Sequence, residues 1–156
     1  MKKNVVKALG ALVLIPPAVL AALSIVSRKP QTGLRAGKLR ACPDSPNCVV
    51  SESDQRPSMR VEPIAFAGGA EPAMGLLARV VERSGGTVRE ESAGYLWATF
   101  TSRVFRFVDD VEFRVDAARH VIHVRSASRA GYSDFGVNRK RVEALREAFE
   151  NAKGEL

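Results

Sequence analysis

The sequence predicts a two-layer α+β domain: an antiparallel sheet of about four to five strands with two helices on one face, preceded by an N-terminal apolar helix. Several segments rich in alternating, β-branched or aromatic residues follow one another through short turns, which favours antiparallel pairing. Two further segments repeat apolar residues at helical spacing. The roughly 100 residues behind the N-terminal segment suffice for a single hydrophobic core.

The N-terminal segment, residues 1–27, is expected to be a membrane anchor or a secretion signal. Residues 8–26 carry no charge, and this run approaches the roughly 20 apolar residues that cross a bilayer as a helix. A basic start, an apolar middle and small residues before a cut after Ala21 fit a cleaved signal as well. Basic residues flank both sides of the run, so charge does not fix the membrane orientation.

Residues 28–58 are predicted to be a basic linker followed by a cysteine loop, "CPDSPNC". The two prolines and the asparagine between Cys42 and Cys48 make a tight loop that a disulfide could close. Free thiols or a partial metal site are the alternatives, but two cysteines without a nearby histidine supply too few ligands for structural zinc. Because disulfides persist outside the cytosol, we expect a periplasmic or otherwise extracytoplasmic domain.

The net charge of +7 is unevenly distributed along the chain. Residues 1–40 hold eight basic residues and no acid, whereas the rest holds sixteen basic and seventeen acidic residues. A nucleic-acid-binding domain needs a basic footprint on its folded part, so no nucleic-acid partner is expected. The basic linker could instead contact an anionic bilayer, to which each basic residue contributes about 1 kcal/mol.

The α+β domain is predicted over residues 59–156 and begins with "RVEPIAF", a short strand in which Pro63 favours an edge position. A helix is predicted from Glu71 to Ser84, since Gly85 and Gly86 suit a helix end. Its apolar residues recur at helical spacing: Met74, Leu77, Ala78 and Val81.

The remaining strands are predicted at "TVREE", at "YLWATFTSRVFRFV" as one long or two short strands, at "DVEFRVD" and at "VIHVRSAS". Apolar and charged residues alternate in "DVEFRVD", so the apolar residues should face the core and the charged residues the solvent. The inward set is Val111, Phe113 and Val115, and the outward set is Asp110, Glu112, Arg114 and Asp116. The last helix is predicted from Asn138 to Lys153, with Val142, Leu145, Ala148 and Phe149 along its buried stripe.

Basic residues crowd the start of this last helix, in "VRSASRAGYSDFGVNRKRVE". A cation there costs roughly 0.3–1 kcal/mol when exposed, because the helix N-terminus is itself partly positive. With Asn138 as N-cap, a polar loop leading into a helix suits an anion. We therefore predict one anion-binding patch formed by Arg125, Ser126, Ser128, Arg129, Asp134, Asn138, Arg139 and Arg141, with Asp109 and Asp110 as orienting partners.

A second interpretation of the same residues is purely structural. Carboxylates of the domain could neutralise the arginines in a bidentate network; the candidates are Asp109, Asp110, Glu112, Asp134 and Glu143. In the binding interpretation, part of the charge stays available for a small anionic molecule, a lipid headgroup or an acidic protein surface. The sequence leaves both interpretations open.

The sequence supports a catalytic site less well than an anion-binding patch. Asp109 and Asp110 point to opposite faces of a strand, so they cannot serve one site as paired carboxylates. The chain has no glycine-rich phosphate loop and no dinucleotide fingerprint, so we expect no cofactor, no metal site, and binding or scaffolding rather than catalysis. The enzyme alternative, a hydrolase or transferase acting on an anionic envelope substrate, requires His123 or an acid to meet Ser126, Ser128 or a cysteine.

Two stretches, "CPDSPNCVVSE" and "RFVDDVEFRVD…VIHVRSASRAGYSDFGVNRKRVE", resemble the family known as domain of unknown function 1499 over residues 39–149. The resemblance implies a domain of bacteria or plastid-bearing eukaryotes, often behind a signal or membrane segment, and implies no particular activity. Its signature residues here are Cys42, Pro43, Ser45, Pro46, Asn47, Cys48, Asp109, Asp110, Glu112, Arg125, Ser126, Ser128, Arg129, Gly131, Asp134, Gly136, Asn138, Arg139 and Arg141.

Overall fold

The computed structural model describes residues 29–52, 55–104 and 106–155, so the predicted N-terminal membrane or signal helix lies outside the described residues. The elements in order are β1 (Cys48–Val50), β2 (Ile64–Ala65), α1 (Ala70–Arg83), β3 (Thr87–Ser92), β4 (Tyr95–Thr101), β5 (Val108–Asp116), β6 (Val121–Ser128) and α2 (Val137–Ala152). Within the described ranges, no helix combines the length and the apolar character that a membrane crossing demands.

All strands pair antiparallel in one sheet of order β1-β6-β5-β4-β3, and β2 pairs with β6 along the same edge as β1. The two-layer α+β prediction is confirmed, but the sheet has six strands rather than four to five. The additional strand is β1, whose three residues follow the cysteine loop and pair with Arg125, Ser126 and Ala127 of β6. Such a short strand gives no readable alternation in the sequence.

Both helices pack on one face of this sheet, as predicted. Helix α1 ends where Gly85 adopts a φ of 86°, and the amide of Gly86 then donates to the Val81 carbonyl, closing the helix end. The apolar stripes of α1 and α2 meet over β4, β5 and β6 in one buried cluster that includes Met74, Leu77, Val81, Leu96, Val111, Phe113, Val124, Val142, Leu145 and Phe149.

The opposite face of the sheet is also covered, which the sequence did not predict. We call residues 29–42 the strap; the strap crosses this face, and its Leu39 is buried against Val50 and Tyr95. The alternation of β5 is as predicted, but the expectation that Asp110 and Glu112 face solvent is wrong. These side chains are buried because the strap lies over them.

The strap and the cysteine loop therefore belong to the folded unit, although residues 28–58 were predicted to be linker and loop. The amide of Leu39 donates to Glu52 (2.8 Å), and Arg114 of β5 also binds Glu52 (2.5 Å). The predicted disulfide is present: Cys42 and Cys48 are joined, with their Cα atoms 5.6 Å apart. The disulfide connects the end of the strap directly to β1.

Candidate functional site

The predicted arginine patch is divided between the two faces of the sheet. Arg125 lies directly opposite Glu112 in the β5–β6 register, on the strap face. Arg141 projects from α2 on the helix face and binds Asp109 (2.6 Å). The expectation of a single patch is therefore wrong, because neighbouring residues of a strand point to opposite faces. The same alternation separates Asp109 from Asp110, as predicted.

The buried ion pair of Arg125 and Glu112 is the centre of the strap face. Nη1 of Arg125 donates to Oε2 of Glu112 at 2.9 Å, and the side chains are 4% and 0% exposed. The other carboxylate oxygen accepts hydrogen bonds from the Tyr95 hydroxyl (2.9 Å) and the Gly33 amide (2.7 Å). Burial, and then the negative charge of Glu112, raise the pKa of Tyr95. Glu112 thus binds the arginine, the neighbouring strand and the strap together.

A second pair lies towards the end of β6 on the same face. Arg129 binds Asp110 through two atoms, Nε at 2.8 Å and Nη2 at 2.7 Å. Trp97 donates its indole N–H to the same carboxylate at 2.9 Å. The hydrogen bonds with Asp110 raise the pKa of Arg129, which therefore keeps its charge. This two-point geometry is the strong form of an arginine–carboxylate contact.

Between these two pairs the structure contains a small cavity of about 70 Å³, which we call the strap cavity. It is lined by Lys29, Gln31, Pro43, Ser45, Asn47, Asp110, Arg125, Ala127, Ser128 and Arg129. The Nε atom of Arg125 is buried, and no hydrogen-bond acceptor contacts it in the described part of the chain. A buried donor without a partner costs free energy, and the Nε atoms of Arg40 and Arg146 share this property.

Asn138 was predicted to cap α2, but it lies inside the first turn and is wholly buried. Its amide nitrogen donates to the Asn47 carbonyl (3.0 Å) and to Ser128 (2.9 Å), while its oxygen accepts from Ser126 (2.5 Å). Asn138 thereby links the cysteine loop, β6 and α2. The N-cap position that was predicted for Asn138 is occupied by Gly136, which has a φ of 80°.

Asp134 supplies the capping side chain from two residues before Gly136. Its carboxylate accepts the backbone N–H groups of Gly136 (3.0 Å) and Asn138 (2.8 Å). A carboxylate at this end stabilises the partly positive helix N-terminus.

The two arginines at the start of α2 contact nearby oxygen atoms. Arg141 binds Asp109 and lies 5.0 Å from the ring centre of Phe100, and Arg139 donates to the carbonyls of Ser58 (2.9 Å) and Arg60 (2.7 Å). For Arg125, Arg129 and Arg141, the structure therefore contains the carboxylate network of the structural interpretation.

His123 meets none of the residues that the enzyme alternative required. Its Nδ1 atom lies 3.3 Å from the hydroxyl of Ser51, which also accepts the backbone N–H of Val124. Its Nε2 atom is 3.9 Å from Asp116, beyond hydrogen-bond distance. Burial lowers the pKa of His123, so the ring is neutral at neutral pH.

Sequence reasoning assigned Lys29 only to the basic linker that could contact lipid, gave no binding role to Ser45 or Asn47 of the strap cavity, and predicted no contact between Ser51 and His123. The signal that was present is the pairing of polar residues on one strand face: Glu112 in β5 against Arg125 in β6. An opposite-charge pair at one register position stabilises the pairing of two strands.

The fold and the site define a class of protein: an antiparallel sheet with helices on one face, a disulfide-joined strap on the other, and arginine–carboxylate pairs on both. Residues 38–149, well over half of the chain, match the family described as "Protein of unknown function (DUF1499)", and the chain belongs to this family. No curated protein and no solved structure matches the chain. Within the described ranges, no group of three or more His, Cys, Asp or Glu side chains could hold a metal ion.

Proposed function

We propose that this protein is a binding module of the cell envelope, tethered or exported through its N-terminal segment, which holds a small anionic group in the strap cavity. The unpartnered, buried Nε of Arg125 is the observation that carries the proposal. A phosphate or carboxylate oxygen is the acceptor that an arginine Nε–H binds best.

The charges around the strap cavity favour an anion. Lys29, Arg125 and Arg129 bring three positive charges, while Asp110 and Glu112 bring two negative charges. One positive charge therefore remains in excess, and it lies on Lys29, which is exposed.

The size of the strap cavity limits the ligand. Sites for drug-sized molecules measure about 300–1,000 Å³, whereas this cavity measures about 70 Å³. The bound part is thus a single anionic group, and the rest of a larger ligand would extend past Lys29 into solvent.

Calorimetric titration of the full chain, kept in non-ionic detergent, with inorganic phosphate and with acetate tests this proposal. We expect saturable binding of at least one anion, and Lys29→Met should weaken that binding about tenfold, the effect of roughly 1.4 kcal/mol. Arg139→Met is the matched control, because Arg139 contacts the Ser58 and Arg60 carbonyls instead of the strap cavity. Absence of binding, or equal losses in the two variants, would contradict the proposal.

The extracytoplasmic location is supported by the disulfide between Cys42 and Cys48, since such bonds persist in oxidising compartments. Fusing alkaline phosphatase to the C-terminus in one strain and a cytoplasmic fluorophore in another tests this location. Phosphatase activity without fluorescence is expected, and the reverse result would place the domain in the cytoplasm.

A hydrolase or transferase acting on an anionic envelope substrate is the second candidate, favoured by the contact between Ser51 and His123. A neutral histidine beside a serine hydroxyl could accept its proton. An activity-based fluorophosphonate probe should then label the chain and lose that labelling in Ser51→Ala, but not in Ser58→Ala, whose serine is exposed. An unlabelled wild-type chain would count against this candidate.

A further inference from the structure

Three loops and the first residue of the strap come together at one end of the sheet, which we call the loop end. The loops are residues 102–104 and 106–107 between β4 and β5, residues 129–136 between β6 and α2, and residues 42–47 before β1. The amide of Arg129 donates to the Val108 carbonyl, and Asn47 donates to the Gly131 carbonyl at 2.7 Å. Lys29 shares the strap cavity with Arg129, so the strap begins at this end.

The exposed apolar side chains of the described residues concentrate at the loop end. Of five large ones, four lie there: Val104 (79% exposed), Tyr132 (76%), Phe135 (91%) and Val137 (46%). Single exposed apolar residues are ordinary on a protein surface, but their gathering at one end marks an interaction surface.

Phe135 has an unfavourable backbone as well as an exposed side chain. Its φ is 53°, in the left-handed region that bulky residues rarely adopt. A glycine would fit this position at lower conformational cost. The fold therefore holds an aromatic ring in solvent at the expense of stability, which is a feature of functional positions.

The loop end is also basic. The exposed charged side chains in its loops and at the start of the strap are Lys29, Arg103 and Arg106, opposed by Asp44, and Lys140 follows in the first turn of α2. Asp44 faces Arg56 at 3.5 Å. Aromatic residues beside lysine and arginine are the composition of proteins that insert into the interface of an anionic bilayer.

We propose that the loop end docks on an anionic lipid bilayer, with Phe135 and Tyr132 in the headgroup region. The position of Lys29 favours a bilayer over a protein partner: the chain enters the domain at this same end, directly after the uncharged run of residues 8–26. This inference rests on the membrane attachment in the proposed function, and it adds a second contact through the folded domain. It does not require the strap cavity to bind an anion.

Fluorescence quenching by brominated lipids tests the docking on full-length protein in vesicles that contain anionic phosphatidylglycerol. The chain has a single tryptophan, Trp97, which supplies a constant background. Phe135→Trp adds a probe at the loop end, and Ala118→Trp adds a matched exposed probe in the turn between β5 and β6, at the other end of the sheet.

Brominated lipid is expected to quench the added probe at position 135 several-fold more than that at position 118. The quenching at 135 should fall in vesicles of neutral lipid and in Phe135→Trp combined with Arg103→Glu and Arg106→Glu. Equal quenching of the two probes, or a probe at 135 that stays unquenched, would overturn the docking and leave the loop end to a protein partner.

Flotation of the full chain with the vesicles reports separately on membrane attachment. If the chain floats but its probe at position 135 is not quenched, only the docking of the loop end is contradicted. If the chain neither floats nor shows quenching at position 135, membrane attachment and docking are both contradicted. Quenching at position 135 supports docking whether or not the chain floats with the vesicles.

Discussion

Nη1 of Arg125 lies 2.9 Å from Oε2 of Glu112, and both side chains are buried between the sheet and the strap. Two opposite charges taken out of water are expensive unless each is fully hydrogen-bonded. Glu112 is fully hydrogen-bonded, because it accepts from Arg125, Tyr95 and Gly33. The Nε of Arg125, in contrast, has no acceptor. The pair thus joins the strap to the sheet and leaves one buried donor without a partner.

Arg125→Met should destabilise the domain by about 3–5 kcal/mol, because it leaves the Glu112 carboxylate buried without its cation. The double variant Arg125→Met with Glu112→Leu should recover most of that loss, since both charges are then removed. Chemical denaturation of the single and double variants measures the difference. A double variant as unstable as Arg125→Met would show that the ion pair does not account for the loss.

Asn138→Ala should cost about 1–3 kcal/mol, because the buried Ser126 hydroxyl loses its acceptor and the Asn47 carbonyl loses one of its two donors, keeping only the Ser128 amide. Lys140→Ala is a control in the same turn, where the side chain is exposed, and it should change the free energy of unfolding little. If Asn138 were only an exposed helix cap, Asn138→Ser would retain full stability; we expect it to lose most of what Asn138→Ala loses.

Replacing both Cys42 and Cys48 by serine should lower the free energy of unfolding by roughly 2 kcal/mol, the loop-closure contribution for so short a loop. Reduction of the wild-type protein by a thiol should give the same change. A wild-type protein whose denaturation midpoint does not respond to reductant would contradict this expectation.

The stability of the protein should depend on pH through His123. Burial lowers the pKa of His123 in the folded state, so the unfolded chain, with a histidine pKa of about 6.5, takes up the proton first as the pH falls. The stabilising contribution of the neutral ring is therefore present above about pH 6.5 and is lost as the pH falls below that value.

Denaturation curves of the wild type and of His123→Gln across this pH range check the dependence. The free energy of unfolding of the wild type should fall more steeply with acid than that of His123→Gln. His120→Gln is the control, since His120 lies exposed in the turn before β6. Parallel curves for the wild type and His123→Gln would contradict the expectation.

The helix face could be predicted from the sequence because apolar spacing decides it. The helix from Glu71 to Ser84 is observed at Ala70–Arg83, and Val142, Leu145 and Phe149 are buried as predicted. These positions depend only on the helical spacing of nearby apolar residues. In a two-layer domain the apolar face of each helix is buried against the sheet.

The strap face could not be predicted because its burial depends on contacts distant in sequence. Glu112 is fully buried and accepts a hydrogen bond from the amide of Gly33, which lies 79 residues earlier. Nothing in the alternation of β5 distinguishes a polar face under a strap from one in water. The placement of the arginines on two faces of the sheet likewise depends on the strand register, and only the pairing of β5 with β6 defines that register.

Titration of the full chain with inorganic phosphate and with acetate, followed by the NMR signal of the Arg125 Nε–H group, measures most directly whether the strap cavity holds an anion. We expect that signal to shift with saturation, while the Nε–H signal of Arg139 stays constant. An Arg125 signal that remains unmoved by either anion, or that moves together with the signal of Arg139, would contradict anion binding in the strap cavity.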